Sequence, residues 1–396
     1  MIRKLTVNGV LVVTVLPLLV ATVVGLIALW PDGNSLRPDS FGPPTRLVNG
    51  TVAVDRAVPC QGRPSGAASN CRVATVRLTQ GPEKGTTVDL QLYEGPGQPR
   101  LHKGDPVVLG RADERGQVDY YFSDFQRRSP LLWLGLLFAA AVIAIGRIRG
   151  LAALIGLGLS FVLLVSFVLP AILEGENALL VAIVASSAIM FLLMYLAHGV
   201  NPKTTAALLG TLVSLALTGL LAVVFVGVAR VANVNTEEAS FLQNAASQVS
   251  LKGILLGGII IGSLGVLNDV TVTQASAVWA LREADPAAGA RDLYHRAMAI
   301  GRDHIASTVD TLVLAYAGAA LPLLLLFTLA SRPIADVVTG SLVAEEIVRT
   351  LVGGIGLVAS VPVTTGLAAL VATRVQTGPK PRRLPPWVSG GTHSTD

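Results

Sequence analysis

Eight long apolar runs, nearly free of charge, govern what this chain can fold into. Val10–Leu29, Ser129–Gly146, Leu151–Leu173, Ala178–Ala197, Ala206–Ala229 and Thr350–Thr373 carry no charged residue, while Gly253–Leu281 and Ile305–Leu329 carry one each, Asp269 and Asp310. A helix needs roughly 20 apolar residues to cross the ~30 Å hydrocarbon layer, so each run qualifies or comes close. Only 14% of the 396 residues are charged and 52% are hydrophobic, against about 25% charged in soluble domains. One soluble core cannot hide that excess, which excludes an ordinary soluble enzyme. The net charge of +5 does not point to nucleic acid, because membrane proteins collect Lys and Arg on cytoplasmic loops.

That bias gives the expected orientation. With the N-terminus inside and eight crossings, 13 basic residues fall on the cytoplasmic side: Arg3, Lys4, Arg147, Arg149, Lys203, Arg282, Arg291, Arg296, Arg302, Arg374, Lys380, Arg382 and Arg383. Outer loops beyond the large first one hold four, Arg230, Lys252, Arg332 and Arg349. The chain therefore reads as a multi-pass protein of the plasma membrane with both termini cytoplasmic. The first run is read as an anchor (1–30) rather than a cleaved signal, since no small-x-small site precedes Trp30–Pro31. Residues 31–128 form the one sizeable extramembrane part, expected outside. Leu47–Val54, Val73–Thr79, Thr87–Leu92, Pro106–Leu109 and Val118–Phe122 are rich in β-branched or aromatic residues and are separated by Gly-rich turns. Five short strands suggest a small barrel, OB-like. Cys60 and Cys71 both lie there; an oxidising compartment favours a bridge, and two free thiols are the plain alternative. Residues 129–373 form a seven-helix membrane domain, and 374–396 a proline-rich, disordered basic tail suited to anionic lipid. The fold class is an all-α polytopic membrane bundle of about eight transmembrane helices with a small extracytoplasmic all-β domain.

Two runs stand apart. Gly258, Gly262, Gly265, Asp269, Thr273 and Ser276 recur at spacings of three and four, on one helical face, with the amides of Asn268 and Gln274 nearby. Small residues permit close helix approach. In the next run Asp303, Ser307 and Asp310 share a face, with Thr308, Thr311, Ala315 and Gly318 adjoining. A charge at mid-bilayer costs about 2.5–3.5 kcal/mol, so Asp269 and Asp310 are expected to face the bundle interior or a hydrated cavity. Protonation, a bound hard cation or an ion pair with Arg302 or His304 would satisfy them.

At these helices the sequence resembles the YibE/F-like family of bacterial multi-pass membrane proteins. The stretches that carry the likeness are Gly262–Ser263–Leu264–Gly265–Val266–Leu267–Asn268–Asp269–Val270, Gly301–Arg302–Asp303–His304–Ile305, Thr311–Gly318 and Leu321–Leu325. Weaker ones are Gly199–Val200–Asn201–Pro202–Lys203–Thr204 and, before Arg127, Gly104–Asp105 and Asp124–Phe125. The resemblance covers residues from about 45 to 373. The family pattern carries Asn at position 310, so Asp310 is a departure and Asp269 with Asp303 becomes the better pair. The resemblance implies a membrane permease and assigns no reaction.

Three functions compete on these residues. The first is a transporter, an exporter or permease coupled to protons or a cation, its path formed by Asp269, Asn268, Thr273, Ser276, Asp303, Ser307 and Asp310 and its helices packed through Gly258, Gly262, Gly265 and Gly318. The second is a non-transporting envelope scaffold that binds a partner through the β domain. The third is an intramembrane aspartyl protease, disfavoured because Asp269 follows Val266–Leu267–Asn268 rather than Gly-x-Gly. No phosphate-cradling Gly-x-x-x-x-Gly-Lys loop, zinc pattern or nucleophile elbow is present in the sequence. An enzyme and a cofactor are therefore not expected, beyond a bound proton or cation. Expected partners are the bilayer and a small-molecule or ionic substrate, with no nucleic acid; self-association stays open.

Overall fold

Apolar periodicity and end-capping set the helices of this protein, described from a computed structural model over residues 7–33, 46–59, 70–93, 98–114, 117–231, 237–329 and 333–375. The chain forms two compact units, Met1–Leu36 with Gly146–Asp396, and Arg37–Ile145.

The smaller unit contains five antiparallel strands: β1 (Arg46–Pro59), β2 (Asn70–Leu78), β3 (Thr87–Tyr93), β4 (Pro106–Glu114) and β5 (Gln117–Phe125), in the order β3-β2-β1-β4-β5. All five expected strands are present, several longer than the apolar runs suggested. Alternation along them buries Val48, Val52, Ala74, Val76, Leu78, Leu90, Val107 and Leu109 on one side. Bulges at Val52/Val54 and Val108/Leu109 curl the sheet into a half-barrel. Gly81 and Gly85, both at φ 95°, make the turn into β3, a conformation glycine adopts at no steric cost. Cys71 is disulfide-bonded; Cys60 lies outside the described residues. Tyr120 donates to Glu83 at 2.6 Å, and Arg111 pairs with the same carboxylate at 3.4 Å.

The larger unit begins with α1 (Val7–Ala28). The second and third apolar runs, expected as two spans, form one helical stretch of 46 residues, counted with the smaller unit as far as Ile145 and with the larger from Gly146. It comprises α2 (Arg128–Leu163), a π turn (Leu164–Val168) and α3 (Leu169–Leu173), broken at Arg147, whose φ of 52° and ψ of −132° are not helical. The π turn leads into Pro170, which has no N–H to offer and would clash with a regular preceding turn. Glu174, just past α3, accepts the backbone N–H groups of Asp32 (2.9 Å) and Gly33 (3.0 Å), and Trp30 stacks on Phe167, so the end of α1 is tied to the end of α3.

Next come α4 (Ala178–His198), capped by the Asn177 side chain, and α5 (Pro202–Val228), capped by Asn201 with Pro202 in its first turn. A short helix, α6 (Glu237–Ala245), occupies the polar stretch that follows α5. After it, α7 (Leu251–Ala284) is capped by Ser250. The seventh run, Ile305–Leu329, begins within α8 (Ala290–Ala319), which starts well before it and bends by 57° into α9 (Leu321–Leu329) at Ala320, beside Pro322. A short α10 (Ile334–Thr339) precedes α11 (Ser341–Arg374). In the first turns of α11, Arg349 pairs with Glu345 (2.8 Å) and Glu346 (3.3 Å). Among the described residues five helical stretches are long and apolar enough to cross a membrane, six with the bent pair taken as one. The bundle centres on α5, α7 and α11, flanked by α4 and α8.

Candidate functional site

The α7 helix carries two opposed faces, and the fold chooses between them. Leu267, Val270, Thr271, Gln274, Ala275 and Val278 are buried against neighbouring helices. The face with Gly258, Gly262, Gly265 and Asp269 is exposed, and Thr273 and Ser276 further along it are half-buried. A Cβ added at Gly258, Gly265 or Gly318 would meet nothing within 4 Å, and one at Gly262 would meet only the Tyr316 hydroxyl at 3.9 Å. No described helix of this chain therefore closes onto the glycine stripe.

On α8 the apolar side wins the contact. Met298, Ile305 and Val309 pack around Val270, Leu357 and Val361, and Gly301 lies against Gln274. Asp303, Ser307 and Asp310 fall on the opposite side of α8 and are exposed. Of the two surroundings expected for the carboxylates, the bundle interior is not where the packing puts Asp269, Asp303 or Asp310. Among the described residues no hydrogen bond or ion pair joins Asp269 to Asp303 or Asp310, and no three His, Cys, Asp or Glu side chains converge as metal ligands. The Thr308 and Thr311 hydroxyls donate to their own helix, to the carbonyls of His304 (2.8 Å) and Ser307 (2.9 Å). Asn268 is half-buried, and its Oδ1 is enclosed without a partner, as is Nε2 of His304.

The polar residues that do meet form a seam between α5, α7 and α11. Thr211 and Thr271 share a hydrogen bond of 2.6 Å, and Thr365 donates to Oε1 of Gln274 at 2.9 Å. Ser214 and Thr218 donate to carbonyls four residues back, at 2.8 Å each. Nε2 of Gln274 and Oγ1 of Thr364 are buried without a partner. Gly210 lies directly against Thr364, and Gly356 against Thr218. Both residue pairs along each helix, Gly210 with Thr218 and Gly356 with Thr364, are eight apart, so the two antiparallel helices lock at two points about 12 Å apart. The signal in the sequence was Thr204, Thr211 and Thr218 at intervals of seven. Read one at a time, such hydroxyls look like ordinary packing.

A model of the family described as YibE/F-like protein matches residues 134–374. The chain belongs to the YibE/F-like family. No curated protein and no solved structure matches it. The matched residues of this YibE/F-like protein run from within α2 to the last residue of α11, so they take in the seam, the glycine face and the bent α8–α9 pair, while the five strands lie outside them.

Proposed function

We propose that this YibE/F-like protein is a permease for a small molecule or ion, coupled to protons or a cation through Asp269. One observation carries the reading. Asp269 lies in the middle of an apolar 34-residue helix, exposed and without a partner among the described residues. An ionised carboxylate there is expensive in lipid, so it must take up a proton, bind a cation or face water, and the first two are steps of ion coupling. The bent α8–α9 pair supports the same reading, since interrupted membrane helices commonly build transport sites. Asn268, Thr273 and Ser276 adjoin Asp269 on α7; Asp303, Ser307 and Asp310 would line the route along α8.

In this reading the chain crosses the plasma membrane eight times with both termini cytoplasmic and the strands outside. The 46-residue stretch would extend about 69 Å unbroken, more than twice the hydrocarbon thickness, which supports reading the break at Arg147 as the boundary between two spans. No catalysis and no bound cofactor other than the coupling ion is involved.

The test uses the full chain in proteoliposomes with a trapped pH dye, an imposed pH gradient and candidate substrates. Wild type should give substrate-dependent proton or cation flux that Asp269→Asn abolishes or renders independent of pH. Flux in Asp269→Asn with the wild-type pH dependence would overturn the assignment.

A further inference from the structure

The corner between α4 and α5 contains a pocket that the transport reading does not use. Gly199, at φ 74°, ends α4, and Asn201 holds the corner from both sides. Its Nδ2 donates to the carbonyls of His198 (2.9 Å) and Gly199 (3.3 Å), while its Oδ1 accepts the N–H of Thr204 at 3.0 Å. Pro202 has no N–H, and Lys203 follows it into the first turn of α5. Arg149 of α2, Trp279 and Glu283 of α7 and Val375 after α11 close the remaining sides around a cavity of about 290 Å³.

This pocket gathers basic side chains from different helices. Elsewhere Arg296 pairs with Asp292 on its own helix and with Asp285 at the end of α7, and Arg349 pairs with Glu345 and Glu346. Arg149 and Lys203 converge from different helices, and neither has an ion pair among the described residues. His198 adds a third nitrogen base, and Glu283 is the single acid in the lining. Arginine offers a planar fork that matches phosphate oxygens, lysine a compact charge, and the start of α5 a favourable dipole. Trp279 has the apolar body and single N–H donor suited to the membrane–water boundary. A carboxylate would engage one of these donors well; a phosphate presents enough oxygens for all of them.

We propose that this pocket is a phosphate site, taking either the headgroup of an acidic phospholipid or a soluble phosphate ester of similar size. It gives the Gly199–Val200–Asn201–Pro202–Lys203–Thr204 stretch a function: Asn201 holds the corner rigid so that Lys203 faces Arg149 across the cavity. The assignment is independent of Asp269 and of transport.

The experiment titrates the full chain in a neutral maltoside detergent with short-chain phosphatidylglycerol, short-chain phosphatidylcholine, glycerol phosphate and inorganic phosphate, reading the thermal midpoint and, by native mass spectrometry, the bound fraction. A basic side chain near a headgroup contributes about fivefold in affinity, so Arg149→Gln with Lys203→Gln should weaken phosphatidylglycerol binding about 25-fold. Glu283→Gln should strengthen it about fivefold by the same measure, and this variant keeps the test decisive if the double substitution fails to fold. Binding of phosphatidylglycerol alone assigns the site to lipid; saturation and competition by glycerol phosphate or inorganic phosphate assigns it to a soluble ester. The proposal is overturned if none of the anions binds, if phosphatidylcholine binds as tightly as phosphatidylglycerol, or if Glu283→Gln and the folded double variant both bind as wild type does.

Discussion

Replacing Gly210 by Ala should loosen the bundle at its centre. The new Cβ would run into the Thr364 hydroxyl, lie 2.9 Å from its Cβ and 3.1 Å from its Cα. The last contact is with backbone, so a rotamer change of Thr364 does not relieve it. The helices α5 and α11 must instead part by roughly 0.5 Å, which forfeits a quarter or more of each contact well along the seam. Overpacking of this kind costs about 1–3 kcal/mol, and the better helix propensity of Ala returns up to about 1 kcal/mol. The net expectation is a loss of about 1–2 kcal/mol, with the same sign for Gly356→Ala against Thr218. Controls come from the exposed stripe: Gly258→Ala and Gly265→Ala meet nothing within 4 Å and should be neutral or stabilising by up to about 1 kcal/mol. Unfolding of the full chain in mixed dodecyl sulfate–maltoside micelles, followed by circular dichroism, measures all four. Equal stability of Gly210→Ala and Gly258→Ala would refute the two-point lock.

Three further expectations follow from single contacts. Gln274 is fully buried with one amide nitrogen unpartnered, so Gln274→Met should stay within about 1 kcal/mol of wild type in the same unfolding assay, whereas Gln274→Glu, which buries a charge, should cost several times more; the reverse order would be inconsistent with the seam. Glu174→Gln removes the charged acceptor of the Asp32 and Gly33 amides, and limited proteolysis should then cut after Trp30 faster than in wild type, an effect that a merely solvated Glu174 would not produce. In the smaller unit, burial and then the Glu83 hydrogen bond raise the Tyr120 phenol above its ordinary value of 10.0. Its stabilising contribution is therefore present below pH 10 and is lost as pH rises through the raised value. The ultraviolet difference titration of wild type minus Tyr120→Phe should show ionisation displaced to higher pH than an ordinary tyrosine; ionisation at or below that range would contradict the contact.

Local chemistry decides where elements begin and end. Asn177, Asn201 and Ser250 are caps whose side chains need only the next few residues, so the starts of α4, α5 and α7 follow from sequence alone. The apolar runs are long because lipid demands about 20 residues per crossing, and the five strands follow from their alternation and intervening glycines. The helical break near Arg147 and the bend at Ala320 were less legible: the sequence shows two separate apolar runs ending at Gly146 and starting at Leu151, and one run over Ile305–Leu329, whereas the structure has a continuous stretch with one non-helical residue at the first place and a 57° bend at the second.

What the sequence by itself determined is therefore the class of protein, the positions of its apolar helices and strands, and the existence of a small-residue face on α7. Tertiary structure alone decided which face of α7 is buried. Periodicity places Asp269 with the glycines on one side and Gln274 with Thr271 on the other, yet it contains no information on the neighbour. That came from residues far along the chain: Thr211 meets Thr271 across 60 positions, and Thr365 meets Gln274 across 91. In lipid there is no hydrophobic reward for turning one apolar face inward rather than another, so close packing and hydrogen bonding between distant helices make the choice.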